Sequence, residues 1–563
     1  MKIENYSWKA LSRRKPLEDS LAQEVSTIRH LKWWDLTAFG IATTIGSGIY
    51  VTCGLVARDL TGPAVVFSTM IAGAMSILTG ICYLEFASSL PISGSGYAYF
   101  YTLVGEFLAW FIGWNLTLEY AFSAAAIAGG WTNYLVTLFE SLNLPIPQFL
   151  YNVPLIGILR LNFLSPLVVI FIGFFVSRGL KFGAMLTNAI TIFNLALIGF
   201  IIVVGGTHVK TENWTNFAPT GVGAIFQGAG EMFFSYLGFD TITTLAADSV
   251  NPSRDIPLAT ILTITIATIL YMSVGLVLTG MQSFKDLDET NPLALAFTAV
   301  GCQWAYYIVT VCALTTMTLT IFTSMVGQPK IFKAMARDGL LPSKLASTNQ
   351  NQVPMYGVSL TILLTSLLAL FLDVRTGLIE MISFGCLFCL SAICAATLSN
   401  RFTRIEEVGP NVPILSLKKT GITAIVTYYI GCLMTAAIWN RSSFSTLQLI
   451  LTGVLFFLSV CIPFGVLVYL FIANKKVLSA SLTGQEAKHF ICPAMPLLPC
   501  AAILFNSIVM MKTNLMDIAL FMGWSAIGIA VYFVYGINHS KLIDYQEIPT
   551  APVDTEKQIE KLK

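Results

Sequence analysis

The chain has 563 residues, of which 55% are hydrophobic and only 11% charged, and its net charge is +2. About a quarter of the residues of an ordinary soluble domain are charged, so this composition excludes a soluble globular fold. A near-neutral chain without a basic stripe also gives no reason to expect nucleic acid as a partner.

About fourteen stretches of the chain approach the ~20 apolar residues needed to cross a lipid bilayer. The loops of a membrane protein that lie in the cytoplasm carry an excess of Lys and Arg, and this excess sets the orientation. With fourteen spans, 25 of the 32 basic residues lie on the side that holds both termini, and seven lie in the loops on the opposite side. The sequence therefore predicts an all-α polytopic membrane protein with both termini in the cytoplasm. The predicted parts are an N-terminal tail, helices 1–5, helices 6–10, helices 11–14 and a C-terminal tail, at residues 1–35, 36–210, 211–400, 401–540 and 541–563.

The first span contains two glycines and a serine at the centre of residues 41–51. Unpaired backbone groups cost several kcal/mol in hydrocarbon, so a break at this depth survives only where it lines a cavity or holds a polar group. The N–H groups that a break frees around Ile45, Gly46, Ser47 and Gly48 form an anion site, and a carboxylate is the expected guest. Close packing of small residues between helices is the alternative.

A second interruption lies in the sixth span, at residues 233–241. The freed carbonyls around Ser235, Tyr236 and Gly238 would suit an ammonium group, and the rings of Tyr236 and Phe239 are candidates for a wall or gate of the pocket. Interrupted helices at equivalent positions of two successive five-helix halves are the signature of an inverted-repeat secondary transporter. One break presents donors and the other acceptors, so together they predict a site for a zwitterionic amino acid.

Carboxylates inside the membrane are expensive, so each of them is a functional candidate. Glu119 lies deep in the third span, where it could receive a cationic side chain or a proton; an ordinary interhelical hydrogen bond is the alternative. Glu231, Asp240 and Asp248 share the sixth span. We expect Glu231 above the break and the other two at or below it.

Several motifs in consistent order give the chain a family resemblance. It resembles the cationic amino acid transporters of the amino acid, polyamine and organocation superfamily. The similarity runs from about Leu36 to Ser540 and includes the last helices. The motifs that carry it are residues 44–51, 62–64, 83–86, 94–99, 105–106, 113–115, 236–240, 251–257, 328–341, 496–499 and 535–540.

The resemblance implies a LeuT-type 5+5 inverted repeat with discontinuous helices 1 and 6, about fourteen helices and transport by alternating access. Proton-coupled bacterial relatives place a lysine near the first break; the matching residue here is Asn194, as in the animal carriers, which favours a facilitator. Glu119 matches an acid of bacterial and plant relatives. The chain departs from the pattern at Ala247-Asp248, where two glutamates are common, and at Glu231, which is usually small or polar.

We therefore expect a carrier of arginine, lysine or ornithine in the plasma membrane, with Asn194, Glu231, Asp240 and Asp248 as coupling or gating candidates. A neutral or broad-range, proton-coupled carrier of amino acids or polyamines is the first alternative, and a transporter-like amino acid sensor is the second. The sequence lacks a metal-ligand cluster, a nucleophile elbow and a phosphate loop, so neither an enzyme nor a cofactor is expected. The oligomeric state is left open.

Overall fold

Helices dominate the fold, as the apolar composition requires, because a helix satisfies the backbone polar groups of a membrane span within one segment. The computed structural model confirms the predicted all-α membrane fold. A two-stranded antiparallel hairpin, β1 (Val153–Ile156) and β2 (Leu159–Leu161), lies between the third and fourth spans. The structure describes residues 11–16, 29–46, 48–156, 159–350, 352–371, 378–403, 414–441, 446–474 and 489–543.

Within these residues, fourteen helical segments correspond to the predicted spans. Among the same described residues, eight apolar stretches are long enough to cross a membrane, and the longest, Trp33–Ser89, covers the first two spans and includes the interruption of the first. The segments are α1a (Trp33–Thr44) with α1b (48–61), α2 (Val65–Ser89), α3 (106–141), α4 (Leu164–Val176), α5 (Leu180–Gly206), α6a (Val222–Phe234) with α6b (Thr241–Thr244), α7 (Pro252–Met281), α8 (Gln303–Arg337), α9 (Met355–Phe371), α10 (Leu378–Thr403), α11 (Ile414–Arg441), α12 (446–473), α13 (Leu497–Met510) and α14 (515–539).

The two five-helix sets are interleaved in the core. Helix α7 packs along α2 and α1a, and α6a packs against α2. On the other side of the core, α8 lies beside α3 and α5, and α9 packs against α4. The helices α11, α13 and α14 pack outside this core against α10, and α12 packs against α11.

The first helix of each set is broken. Helix α1a ends at Thr44 and the chain becomes helical again at Gly48. In the sixth span, α6a ends at Phe234 and α6b begins at Thr241, followed by a 3-10 turn at Ala246–Asp248. The predicted discontinuous helices 1 and 6 are confirmed.

The terminal segments identify one end of the bundle. Lys15 forms an ion pair with Asp338, just beyond α8, and the backbone N–H of Lys541 donates to the carbonyl of the same residue. We call this end the tail side. The opposite end, which we call the far side, carries the loop between α7 and α8, where Arg58 of α1b pairs with Glu289 at 2.9 Å.

Candidate functional site

The two helix breaks pack directly against each other. A Cβ added to Gly48 would lie 2.6 Å from the Cβ of Ser235, and one added to Gly238 would lie 2.4 Å from Cγ2 of Thr43. Gly238 also has a φ of +102°, in the left-handed region where other residues are strained. Close packing by small residues therefore occurs at the same place as the predicted site.

Two other helices hold the carbonyls that the break in α1 frees. The hydroxyl of Thr320, in α8, donates to the carbonyl of Ala42 at 2.8 Å. The hydroxyl of Tyr271, in α7, lies 2.8 Å from the carbonyl oxygens of both Thr44 and Ser235, so its single proton is shared between them. One phenol thus links the break in α1 to the break in α6.

Replacing Tyr271 by phenylalanine is expected to destabilise the folded protein by about 1–3 kcal/mol. The buried carbonyl of Ser235 loses its donor, and the carbonyl of Thr44 keeps only the backbone N–H of Gly46. The melting temperature of the purified protein in detergent measures this effect. Tyr356→Phe is the matched control, since that side chain is 58% exposed on α9. An unchanged melting temperature for Tyr271→Phe would show that the shared hydrogen bond does not hold the two breaks together.

The start of α1b provides the unpaired N–H groups of the first break. Helix α1b begins at Gly48, and the N–H groups of a first helical turn have no acceptor within the helix. The N–H groups of Ile45 and Gly46, in contrast, donate to carbonyls of the last turn of α1a. Ser47 lies outside the described residues. A carboxylate would therefore meet free donors at Gly48 and the residues after it, and not at Ile45 or Gly46.

Glu119 reaches the break in α6. Its carboxyl accepts a hydrogen bond from the backbone N–H of Gly238 at 3.3 Å. It lies in a π-helical turn of α3, Leu118–Phe122, and such turns are frequent at functional sites. The structure thus brings together the third span and the second break, two features that the sequence singled out separately.

Glu119 and Asp240 form a buried carboxyl pair. They are 5% and 1% exposed, and they are close enough to act on each other electrostatically. The hydroxyl of Tyr120 donates to Oδ2 of Asp240 at 2.8 Å, whereas Oδ1 has no hydrogen-bond partner in the described chain. None of the ion pairs among the described residues involves either carboxyl. The pair is therefore an acidic centre beside the breaks without a basic side chain to balance it.

The aromatic side chains of the α6 break pack against α2 and α7. The hydroxyl of Tyr236 donates to the carbonyl of Thr69 at 3.0 Å, and its ring lies edge-on against Tyr271. The ring of Phe239 lies against Gly80 of α2. In this conformation both rings are packing groups, so Tyr236 and Phe239 border the break through their backbone.

Asn194, in α5, lies beside the first break. It lines a small cavity together with Ile41, Ala42 and Ile45, and its Oδ1 accepts a hydrogen bond from Thr315 at 3.0 Å. Its amide nitrogen is buried and has no hydrogen-bond partner among the residues the structure describes. An amide donor therefore faces the end of α1a at the position where the resemblance implies a residue relevant to coupling.

The remaining candidates lie on either side of the breaks. Glu231, in α6a, has Glu380 and Asp59 as charged neighbours on the far side. Asp248, at the end of the 3-10 turn after α6b, forms an ion pair with Lys330 of α8 on the tail side. These two carboxylates are therefore separate from the central pair.

Sequence reasoning missed several residues that shape the site. Thr320 belongs to a run of hydroxyl residues in α8, and that run was an available signal because polar side chains inside a membrane span need partners. Tyr271 and Tyr120 are isolated tyrosines in apolar helices, which gave no signal. Lys330 lies beyond the apolar run of its span, and α8 nevertheless continues past it to Arg337.

Comparison with known families adds a finding independent of this geometry. Residues 31–458, more than half of the chain, match the amino acid permease family. The chain belongs to this family. Residues 490–540 match the C-terminal part of the same permeases, so the similarity extends to α13 and α14. The protein is therefore a membrane transporter and not an enzyme.

Curated relatives of this permease confirm the resemblance noted in the sequence. The chain is 32% identical over 583 residues to the vacuolar cationic amino acid transporter 4 of Arabidopsis thaliana, with 94% of each chain covered. It is 32% identical over 598 residues to cationic amino acid transporter 4 of Homo sapiens, with 94% of this chain and 90% of the relative covered. It is also 35% identical over 422 residues to the methylthioribose transporter of Bacillus subtilis, with 73% of this chain and 91% of the relative covered.

Proposed function

We propose that this permease carries cationic amino acids, such as arginine, lysine and ornithine, by alternating access. The observation that carries the proposal is the buried pair of Glu119 and Asp240, which no basic residue of the described chain neutralises. A buried charge without a partner is strongly unfavourable, and two adjacent carboxylates repel each other. A cationic side chain of the substrate would relieve both effects.

The helix breaks supply groups for the other end of the substrate. The free N–H groups at the start of α1b, together with the helix dipole, favour the α-carboxylate. Carbonyls of the α6 break favour the α-ammonium group, although Ser235 shares its carbonyl with Tyr271. In this arrangement the breaks hold the part that all amino acids have in common, and Glu119 with Asp240 selects among side chains.

A facilitator driven by gradient and membrane potential is the coupling mode that we propose. Asn194 occupies the place beside the first break. Its side-chain amide is neutral and does not titrate, so it cannot bind and release a coupling proton there. The membrane potential contributes about 2.3 kcal/mol per charge at 100 mV, which is enough to concentrate a cation.

The same proposal includes the orientation and the domain organisation. We place the tail side in the cytoplasm because most Lys and Arg residues lie there, with residues 36–210 and 211–400 as the two repeats. The plasma membrane is the proposed location. The names of two relatives include the words vacuolar and mitochondrial, so a localisation experiment must examine internal membranes as well.

Uptake of radiolabelled arginine into proteoliposomes tests the proposal. We expect uptake under an imposed negative-inside potential without a pH gradient, and competition by lysine and ornithine. Absence of arginine uptake under both a potential and a pH gradient, with uptake of leucine or alanine, would contradict cationic selectivity. Arginine binding without translocation would indicate a sensor, and uptake of a polyamine or methylthioribose in place of arginine would place this chain nearer to other members of the family.

A further inference from the structure

The ion pair between Lys330 and Asp248 joins α8 to the end of the sixth span on the tail side. The carbonyl of Asp248 accepts the backbone N–H groups of His30 and Leu31, both at 3.0 Å, just before α1a. Its carboxylate binds Lys330, in the last turns of α8. Three elements that border the site, α1a, α6b and α8, therefore meet at one residue.

Both charged groups of this pair are largely withdrawn from water. The side chains of Asp248 and Lys330 are 12% and 16% exposed. Separating such a pair leaves a poorly solvated carboxylate, which is costly unless another cation replaces the lost one. Because this ion pair joins α8 to the end of the sixth span, a movement of α8 away from that span would separate Asp248 from Lys330.

The position of Asp248 on the sixth span shows which cation could replace Lys330. This one broken helix carries Glu231 on the far side, Asp240 at the break and Asp248 on the tail side. Along this span Asp248 is therefore the next carboxylate on the tail side of Asp240, the side toward which a cationic substrate would leave.

We propose that Lys330 and the cationic side chain of the substrate alternate on Asp248. Lys330 holds the carboxylate while the tail side is closed; when α8 moves away, the departing substrate takes its place before release. Asp248 is then a subsite of the release path, and Lys330 is a tethered competitor for it. This inference rests on the proposed function.

A second ion pair on the tail side serves as the matched control. Nη2 of Arg401, in α10, lies 2.6 Å from Oε2 of Glu85, in α2, and the same oxygen accepts the backbone N–H of Cys492. Arg401 and Glu85 belong to neither broken helix. Breaking this pair changes the contacts of the tail side without changing a carboxylate of the sixth span.

The test compares Asp248→Asn with Lys330→Gln by the KM for arginine on the tail side, in vesicles sorted by orientation. Both substitutions break the ion pair, so a purely structural gate predicts that both shift this KM in the same direction. Our proposal predicts opposite directions: about a 10-fold increase for Asp248→Asn, which loses the subsite, and about a threefold decrease for Lys330→Gln, which loses the competitor.

Two further variants keep the outcome decisive. Arg401→Gln is expected to leave the tail-side KM within about twofold of the wild type. The double variant Asp248→Asn with Lys330→Gln leaves no orphan charge that could prevent folding, and its KM should resemble that of Asp248→Asn. Shifts of both single variants in one direction would overturn the inference, as would a double variant with the wild-type KM. If the wild type transports no arginine at all, the proposed function fails first.

Discussion

Arginine uptake is expected to fall about 100-fold when Glu119 is replaced by glutamine. Removing a carboxylate that binds a buried cationic group costs about 2–5 kcal/mol, and each 1.4 kcal/mol is a tenfold change in affinity. The amide keeps the shape of the side chain and can still accept the hydrogen bond from Gly238. The initial rate of radiolabelled arginine uptake, at equal amounts of reconstituted protein, measures the loss.

The control for this prediction lies on the same helix. Glu140 is an exposed residue near the far-side end of α3, and Glu140→Gln should leave uptake within about twofold of the wild type. Unchanged arginine kinetics in Glu119→Gln would assign the binding of the cationic side chain to another residue. An equal loss of neutral and cationic substrates would show that Glu119 maintains the shape of the α6 break without selecting charge.

Gly238→Ala is expected to abolish transport and to destabilise the fold by about 2–4 kcal/mol, since overpacking and a disallowed backbone angle each add a cost. The new methyl group would lie 2.4 Å from Cγ2 of Thr43, and the φ of +102° is strained for alanine. Thermal unfolding in detergent and arginine uptake together measure the effect.

Two variants separate the contact from the backbone strain. Gly223→Ala, in α6a, adds the same methyl group where nothing lies within 4 Å apart from its chain neighbours and the backbone of its own helix, so it should leave transport unchanged. Adding Thr43→Ser to Gly238→Ala removes Cγ2, and we expect partial recovery of the melting temperature because the backbone strain remains. Wild-type stability of Gly238→Ala would mean that the two breaks are not in close contact in the working transporter.

The two breaks could be predicted from the sequence because the residues that cause each break lie together in one segment. Glycine and polar residues in the middle of an apolar run indicate a place where a membrane helix cannot continue, and this predicted the interruptions at Gly46 and Gly238. The same reasoning found Glu119 and Asp240, since a carboxylate in a membrane span is costly wherever it lies.

The partners of these residues could not be predicted in the same way. Tyr271 and Thr320 satisfy carbonyls of α1a from helices far away in the chain, and their roles depend on how α7 and α8 pack. The pairing of Lys330 with Asp248 depends on the length of α8, which continues beyond its apolar run. An aromatic residue at a break has the same sequence signal whether it faces the site or a neighbouring helix. The sequence therefore makes Tyr236 and Phe239 gate candidates, although both rings pack against neighbouring helices.

Competition between arginine and citrulline tests the central claim most directly. Citrulline has nearly the shape of arginine but carries a neutral urea group in place of the guanidinium, so the comparison isolates the charge that Glu119 and Asp240 are proposed to bind. The measurement is the concentration of each compound that halves uptake of radiolabelled arginine by the wild-type protein. Our account predicts that citrulline competes at least about 100-fold more weakly, corresponding to about 3 kcal/mol. Equal competition by the two compounds would contradict it.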